Sequence, residues 1–252
     1  MNLTGNTIFI TGGGSGIGRA LAEALHKNGN KVIISGRRRG HLEATVKANP
    51  GIDSIELDIA DPASIDAATK ELIARYPNLN VVIDNAGIMQ IDDVSSRVDD
   101  QLLVSTITTN LIGPIRVTGA LVDHLKQQRD ATVLIVSSVL GFVPMAMTAV
   151  YSSTKAALHS YAQSLRYKLR NSSVKVQEIA PPWVQTDLLN SNEEPRAMPL
   201  KDFIDETIIA LGTDADEVLV DRAKPLRNNP GPSEGAFFVR FNGLLESSQT
   251  TS

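Results

Sequence analysis

Short runs of aliphatic and β-branched residues alternate along the chain with longer stretches whose apolar positions recur every three or four residues. The short runs at 7–11, 31–35, 54–57, 81–84, 132–137 and 174–179 are expected strands, and 217–220 a seventh at an edge. Near-continuous apolar segments such as 133–136 suit a parallel sheet covered on both faces. Between strands, Ile17, Leu21, Ala24 and Leu25 form one helical stripe, which Gly29 closes just past the helix end. Asp61 caps and Pro62 opens a second helix bearing Ile65, Ala68, Leu72 and Ile73. Longer helices are expected over 98–126 and 149–170, and a shorter one over 200–211. Repeated β–α–β units with right-handed crossovers predict a doubly wound α/β fold. Its mostly parallel sheet has six to seven strands, helices on both faces and a ligand site at the strands' carboxyl ends.

No linker, repeat or low-complexity tract divides the first ~190 residues, so residues 1–252 are expected to form one domain. Within it, 187–212 is expected to be loop and helix beside a substrate, and 225–252, rich in Pro, Gly, Asn and Ser, a partly mobile tail. The chain has no cysteine, which excludes disulfides, thiolate metal sites and a cysteine nucleophile, and makes the cytoplasm the expected compartment. A net charge of −4 without a long basic run argues against nucleic acid as a partner. The amino terminus does not read as a signal peptide, and no apolar run approaches the ~20 residues that span a bilayer.

Two local patterns carry chemistry. The first strand runs into Thr11, Gly12, Gly13, Gly14, Ser15, Gly16, Ile17 and Gly18, and then directly into a helix. Glycines there permit a tight turn and close backbone approach to a pyrophosphate, whose charge meets free N–H groups at the helix start. Second, Tyr151 and Lys155 stand four apart on one helix face. A phenol is a poor base near neutrality, but a nearby ammonium, together with a positive ring bound beside it, is expected to lower its pKa and fit it for proton transfer. Ser138, at the end of the fifth strand, offers a hydroxyl to a substrate oxygen.

The spacing of Gly12, Gly16 and Gly18 resembles the TGxxxGxG turn of the short-chain dehydrogenase/reductase family. Asp84-Asn85-Ala86-Gly87 resembles that family's NNAG motif, and Asp58, followed by Ile59, matches the acidic residue that meets the adenine ring. Pro181-Pro182-Trp183-Val184-Gln185-Thr186 resembles the PGxVxT segment, in which Val184 and Thr186 would hold the nicotinamide amide. Asn110, Ser138, Tyr151 and Lys155 match the family's catalytic tetrad, in which the asparagine holds a water linking the lysine to solvent. The resemblance covers about residues 3–186, with Asp84 standing for the usual Asn and Pro182 for the usual Gly. It implies a Rossmann fold and hydride transfer between a nicotinamide dinucleotide and a carbonyl or alcohol. Residues 218–230 resemble the carboxyl end of DltE-like members.

Gly36 stands where members specific for NAD have Asp, and Arg37 follows it, with Arg38 next. A guanidinium binds phosphate in a fork, so NADP(H) is expected to be preferred, with NAD(H) as a second option. Phe142, Val143, Met145, Met147 and Trp183 suggest an apolar substrate pocket, while Arg196 leaves room for an anionic group. The two long helices resemble those that pair protomers in this family, so a homodimer or homotetramer is expected, with Leu102, Leu103, Ile107 and Leu158 either contacts between copies or packing within the chain. His26, His41, His124 and His159 lack ligand spacing, no metal is expected, and Asp92, Asp93, Asp99 and Asp100 read as a solvated acidic approach to a helix. A catalytically quiet NADP(H)-binding redox sensor or scaffold is the alternative, and the complete tetrad argues against it. A methyltransferase would need neither the Tyr–Lys pair nor Ser138.

Overall fold

The computed structural model describes residues 1–229, 231 and 233–249. The first half contains β1 (Thr7–Thr11), α1 (Gly16–Lys27), β2 (Lys31–Gly36), α2 (Arg39–Ala48), β3 (Asp53–Glu56), α3 (Pro62–Arg75) and β4 (Val81–Asp84). There follow α4 (Asp100–Ile107), α5 (Gly113–Leu125), β5 (Ala131–Val136), α6 (Ala149–Leu169), β6 (Val174–Ile179), α7 (Leu200–Leu211) and β7 (Glu217–Val218). The seven strands form one sheet in the order β3-β2-β1-β4-β5-β6-β7, every neighbouring pair parallel. Alternation along β1 sends Ile8 and Ile10 to one apolar layer and Phe9 to the other. The first layer is completed by Leu21, Leu42 and Phe203 from α1, α2 and α7, the second by Leu72, Leu121 and Leu158 from α3, α5 and α6.

Local signals act where the sequence places them. Asp61 accepts hydrogen bonds from the Ala63 and Ser64 amides at the start of α3, and Gly29 follows α1 with φ +82°. The stretch expected as one helix over 98–126 is different. Asp99 caps its start, accepting from Leu102 N, and between α4 and α5 the chain widens into a π turn at Thr108–Ile112. The Gly113 amide there reaches back to the Thr108 carbonyl. Gly113 is required because a Cβ would lie 2.6 Å from the Ile59 carbonyl oxygen.

The carboxyl-terminal region also departs from expectation. Residues 250–252, the end of the expected tail, lie outside the described residues, but before them come α8 (Lys224–Arg227) and α9 (Glu234–Gln249). Gly235 and Gly243 weaken the helical signal of α9, whereas a tertiary contact secures it. Asn242 accepts from the Ala146 amide at 2.5 Å and donates to the Pro144 carbonyl at 3.1 Å. Leu158, an expected partner contact, is instead 1% exposed and belongs to the core. On α4, α5 and α6 the exposed large apolar side chains are Val104, 54%, Ile115, 37%, and Tyr167, 65%. Among the described residues no helix is long and apolar enough to cross a membrane.

Asp84 ends β4 beneath the glycine turn and is 2% exposed. Its Oδ2 accepts from Thr118 Oγ1 at 2.6 Å, while Oδ1 has no hydrogen-bond partner among the described residues. Burial pushes its pKa up to about 7, so the fold favours the neutral acid. The unfolded chain ionises near the ordinary carboxylate value, so the contribution of Asp84 to stability falls as pH rises from about 4 to about 7 and is level above that. Asp84→Asn removes this dependence. Its stability relative to wild type should rise by up to about 4 kcal/mol over that window, read by chemical denaturation at several pH values.

Candidate active site

The glycine turn is fastened from beneath by residues of the Asp84–Gly87 segment. Thr11 Oγ1 accepts from the amides of Asn85 and Ala86, at 3.0 and 3.1 Å. The Asn85 side-chain Nδ2 donates to the carbonyls of Thr11 and Gly12, at 3.0 and 3.3 Å. Gly12 has φ +70°, and a Cβ there would lie 2.9 Å from Ala86 Cα, so both the turn and the close approach need glycine. Gly16 in turn lies against Thr186, 3.7 Å from where its Cβ would be, which brings the 181–186 segment to the same place.

From this turn a cavity of about 1060 Å³ runs across the carboxyl ends of the strands. Its near end is lined by Thr11, Gly12, Gly14, Ser15, Gly16, Ile17 and Gly18, with Arg37 and Arg38 beyond them. Ile59, Asn85, Ala86 and Gly87 line its middle. Pro181, Val184 and Thr186 lie on the other side, and Ser138, Tyr151 and Lys155 open onto the same space. Two expected residues do not line it. Asp58 turns its Oδ1 to the Ala60 amide at 3.0 Å, and Asn110 is fully buried behind the wall. Arg38 reaches Ser15 Oγ at 2.9 Å and Arg39 pairs with Glu43, whereas Arg37 makes no ion pair among the described residues.

The reacting side chains come from three elements. Tyr151 and Lys155 project from α6, and Ser138 follows β5, its Oγ accepting from the Leu140 amide at 3.1 Å. Asn110 sits in the π turn and grips Ile88 from both sides, accepting from its amide and donating to its carbonyl, each at 2.8 Å. It also donates to Thr154 Oγ1 at 3.3 Å, and Thr154 donates to the Tyr151 carbonyl at 2.7 Å. Lys155 Nζ lies 5.5 Å from the Tyr151 ring centroid and donates to the Val136 carbonyl at 2.9 Å.

Burial dominates the titration of this pair. It pushes Tyr151 up to about 12, with a hydrogen bond to Ser138 acting the other way, and pulls Lys155 down to about 8. This direction is opposite to the one expected of the lysine and a positive ring acting together, and it holds for the chain's own groups alone. Desolvation disfavours the phenolate more than the Ser138 hydrogen bond favours it. At neutral pH Tyr151 is a proton donor.

Asp92 corrects another expectation. It is 8% exposed, and its carboxylate accepts from the amides of Ala149 and Val150, at 3.0 and 2.9 Å. It caps α6 directly before Tyr151. His159 is no idle surface residue either: its Nδ1 lies 2.8 Å from a carboxylate oxygen of the buried Glu178. Met145, Met147 and Trp183 line the cavity as expected. Phe142 and Val143 do not; they face Phe238 of α9, while Phe241 and Leu226 join the cavity wall unforeseen. Arg196 is paired with Glu194 at 2.7 Å and lies over the Trp183 ring, 5.0 Å from its centroid.

The family model for short chain dehydrogenases matches residues 6–197. The chain therefore belongs to the short chain dehydrogenase family, whose members are oxidoreductases. Within the family it falls in the DltE branch. It is 34% identical over 248 residues to the uncharacterized oxidoreductase DltE of Bacillus subtilis, covering 96% of this chain and 98% of that protein. It is 29% identical over 208 residues to the uncharacterized oxidoreductase SERP2049 of Staphylococcus epidermidis, covering 80% and 89%. A short chain dehydrogenase from Burkholderia cenocepacia, solved in complex with NADP, superposes with a TM-score of 0.84 at 24% identity, covering 95% and 98%. One from Burkholderia phymatum in complex with NAD gives 0.81 at 19% identity, covering 90% and 93%.

Gly18 tests the cradle. A Cβ at this position would run into the Asn85 side-chain amide and the Gly12 carbonyl. Gly18→Ala should lose about 1–3 kcal/mol of stability, read as a lower melting temperature. Dinucleotide affinity should fall about tenfold or more by titration, because the turn itself is displaced.

Proposed function

We propose that the protein is an NADP(H)-dependent oxidoreductase acting on a carbonyl or alcohol substrate with a largely apolar body. One observation carries this reading: Ser138, Tyr151 and Lys155 open onto the same cavity as the glycine turn and Arg37. The residues fit a dinucleotide. The turn offers backbone amides at the start of α1 to a pyrophosphate, and Arg37, which lines the same cavity without an ion pair among the described residues, would take a 2′-phosphate. When bound, the nicotinamide gives or takes the hydride.

The chain's own residues manage the proton. Tyr151, a phenol at neutral pH because it is buried, donates to the carbonyl oxygen in reduction and takes the proton back in oxidation. Ser138 shares that oxygen through its hydroxyl and steadies the charge that develops on it. Lys155 stabilises the transient phenolate by its positive charge. Asn110, by holding Ile88 and Thr154, keeps the wall behind them in place, with the family's water-holding role as its proposed function. Met145, Met147, Trp183 and Phe241 give the substrate an apolar seat. The reading includes a cytoplasmic location and an assembly of two or four copies, for which Val104 and Tyr167 supply exposed apolar surface.

A panel of aldehydes, ketones and secondary alcohols, assayed with both nicotinamide cofactors, tests the reaction. Binding of NADPH with no turnover of any of them would favour the sensor alternative. On a substrate so found, Tyr151→Phe should lose about 10²–10⁴-fold in kcat while NADPH affinity stays nearly unchanged, since only the hydroxyl is removed. Near-normal turnover would take Tyr151 out of this role.

Cofactor choice is tested separately by titration with NADPH and NADH. Wild type should prefer NADPH by about 10- to 100-fold, and the double variant Gly36→Asp, Arg37→Leu should reverse the order. Equal affinity of the wild type for both would remove Arg37 as the selecting residue.

A further inference from the structure

Behind the reacting groups lies a carboxylate for which the proposed chemistry has no use. Glu178 on β6 is 0% exposed. One of its oxygens accepts from Ser137 Oγ at 2.5 Å, and the other lies 2.8 Å from His159 Nδ1. Ser137 stands between Val136, whose carbonyl receives the Lys155 ammonium, and Ser138. His159 lies one helical turn beyond Lys155 and two beyond Tyr151, on the same face of α6. A single carboxylate thus ties the end of β5 to the face of α6 that carries the acid–base pair.

Burying a carboxylate in the centre of a sheet is unfavourable unless it is paired, and an apolar residue would serve the fold as well. The groups that face it are few. Lys155 and His159 approach from α6, while Glu217 of β7 is held by Arg227 of α8, at 2.5 and 2.9 Å. His159, Glu178 and Glu217 bring ligand atoms within 4.8 Å of one another. Arg227 and Ser137 already occupy the carboxylates, so the cluster reads as a hydrogen-bonded relay, not a cation site.

We propose that Glu178, oriented by His159, is a positioning residue for the reaction, fixing Ser138 against Tyr151 and Lys155. The assignment rests on the roles given to those three residues above. It has an electrostatic side as well: the Glu178 charge favours the protonated form of Lys155 and opposes its desolvation. The partnership in turn raises the His159 pKa, which keeps the imidazole a donor to the carboxylate.

Two variants separate position from charge. Glu178→Ala removes both bonds and the charge, whereas Glu178→Gln removes the charge, keeps an acceptor for Ser137 and turns an amide N–H toward His159 Nδ1, which must then accept as a neutral imidazole. With a substrate that wild type turns over, Glu178→Ala should lower kcat about tenfold or more, with KM and the NADPH dissociation constant changed less than about threefold. Glu178→Gln should recover most of kcat but move the alkaline limb of the kcat/KM profile to lower pH, because Lys155 and Tyr151 both lose their protons more easily. A readout without turnover is the ultraviolet titration of the Tyr151 phenolate, taken as the difference from Tyr151→Phe in each background. Its midpoint should fall in Glu178→Gln. If wild type turns over nothing, the hydride-transfer reading fails while this midpoint still tests the coupling. The proposal is overturned if kcat, cofactor affinity and melting temperature fall together in Glu178→Ala without rescue by Gln. An unmoved phenolate midpoint and pH limb in Glu178→Gln overturn it too, and they decide the matter should Glu178→Ala not fold.

Discussion

A protonated amine inside a protein is unfavourable unless other groups replace the water it has lost, and Lys155 imposes that requirement on the whole site. Its ammonium is answered by the Val136 carbonyl at 2.9 Å and, through space, by Glu178. Removing either partner leaves the charge less compensated, so the residues around Lys155 constrain one another. The end of β5, the start of α6 and the centre of β6 are fixed together by a requirement that begins with a single side chain.

The position of α6 follows the same logic from its other end. Its first amides, beside Tyr151, are satisfied by Asp92, a residue 57 positions earlier in the chain. The Met145 amide donates to Ser152 Oγ at 3.2 Å, which ties the loop before the helix to its first turn. The π turn opposite lets Asn110 face inward while α4 and α5 continue on either side. An extra residue in one helical turn is tolerated where it aims a side chain that regular geometry would direct elsewhere.

What could be read from the chain was what depends on near neighbours. Asp61 with Pro62, Gly29 after α1, and the four-residue interval from Tyr151 to Lys155 are local relations, and each appears where the spacing puts it. The strand runs likewise give the sheet to within one residue at their ends, apart from β7, which stops two residues early at Val218. Asp92 was missed because its partners are distant, and a run of acids before a helix looks the same whether solvated or capping. Glu178 did leave a signal, a carboxylate inside a strand buried on both faces, but nothing local names Ser137 and His159 as its partners. For Tyr151 the spacing supplied the neighbour, while the depth of burial that governs its proton is a property of the folded whole.

The fastening of α9 has a consequence of another kind. Asn242 docks on the Pro144–Ala146 loop by one donated and one accepted bond, much as one strand pairs with another. Phe241 beside it supplies part of the cavity wall, yet among the described residues the hydrogen bonds of Asn110, Ser138 and Lys155 go to Ile88, Thr154, Leu140 and Val136, outside this helix. On the proposed reading, the mouth and the chemistry are separable modules, joined through Asn242 and Phe238 on the 142–146 loop. The apolar face of α9 can then be rebuilt, by selection or by design, to admit differently shaped carbonyls while the proton-handling groups stay as they are.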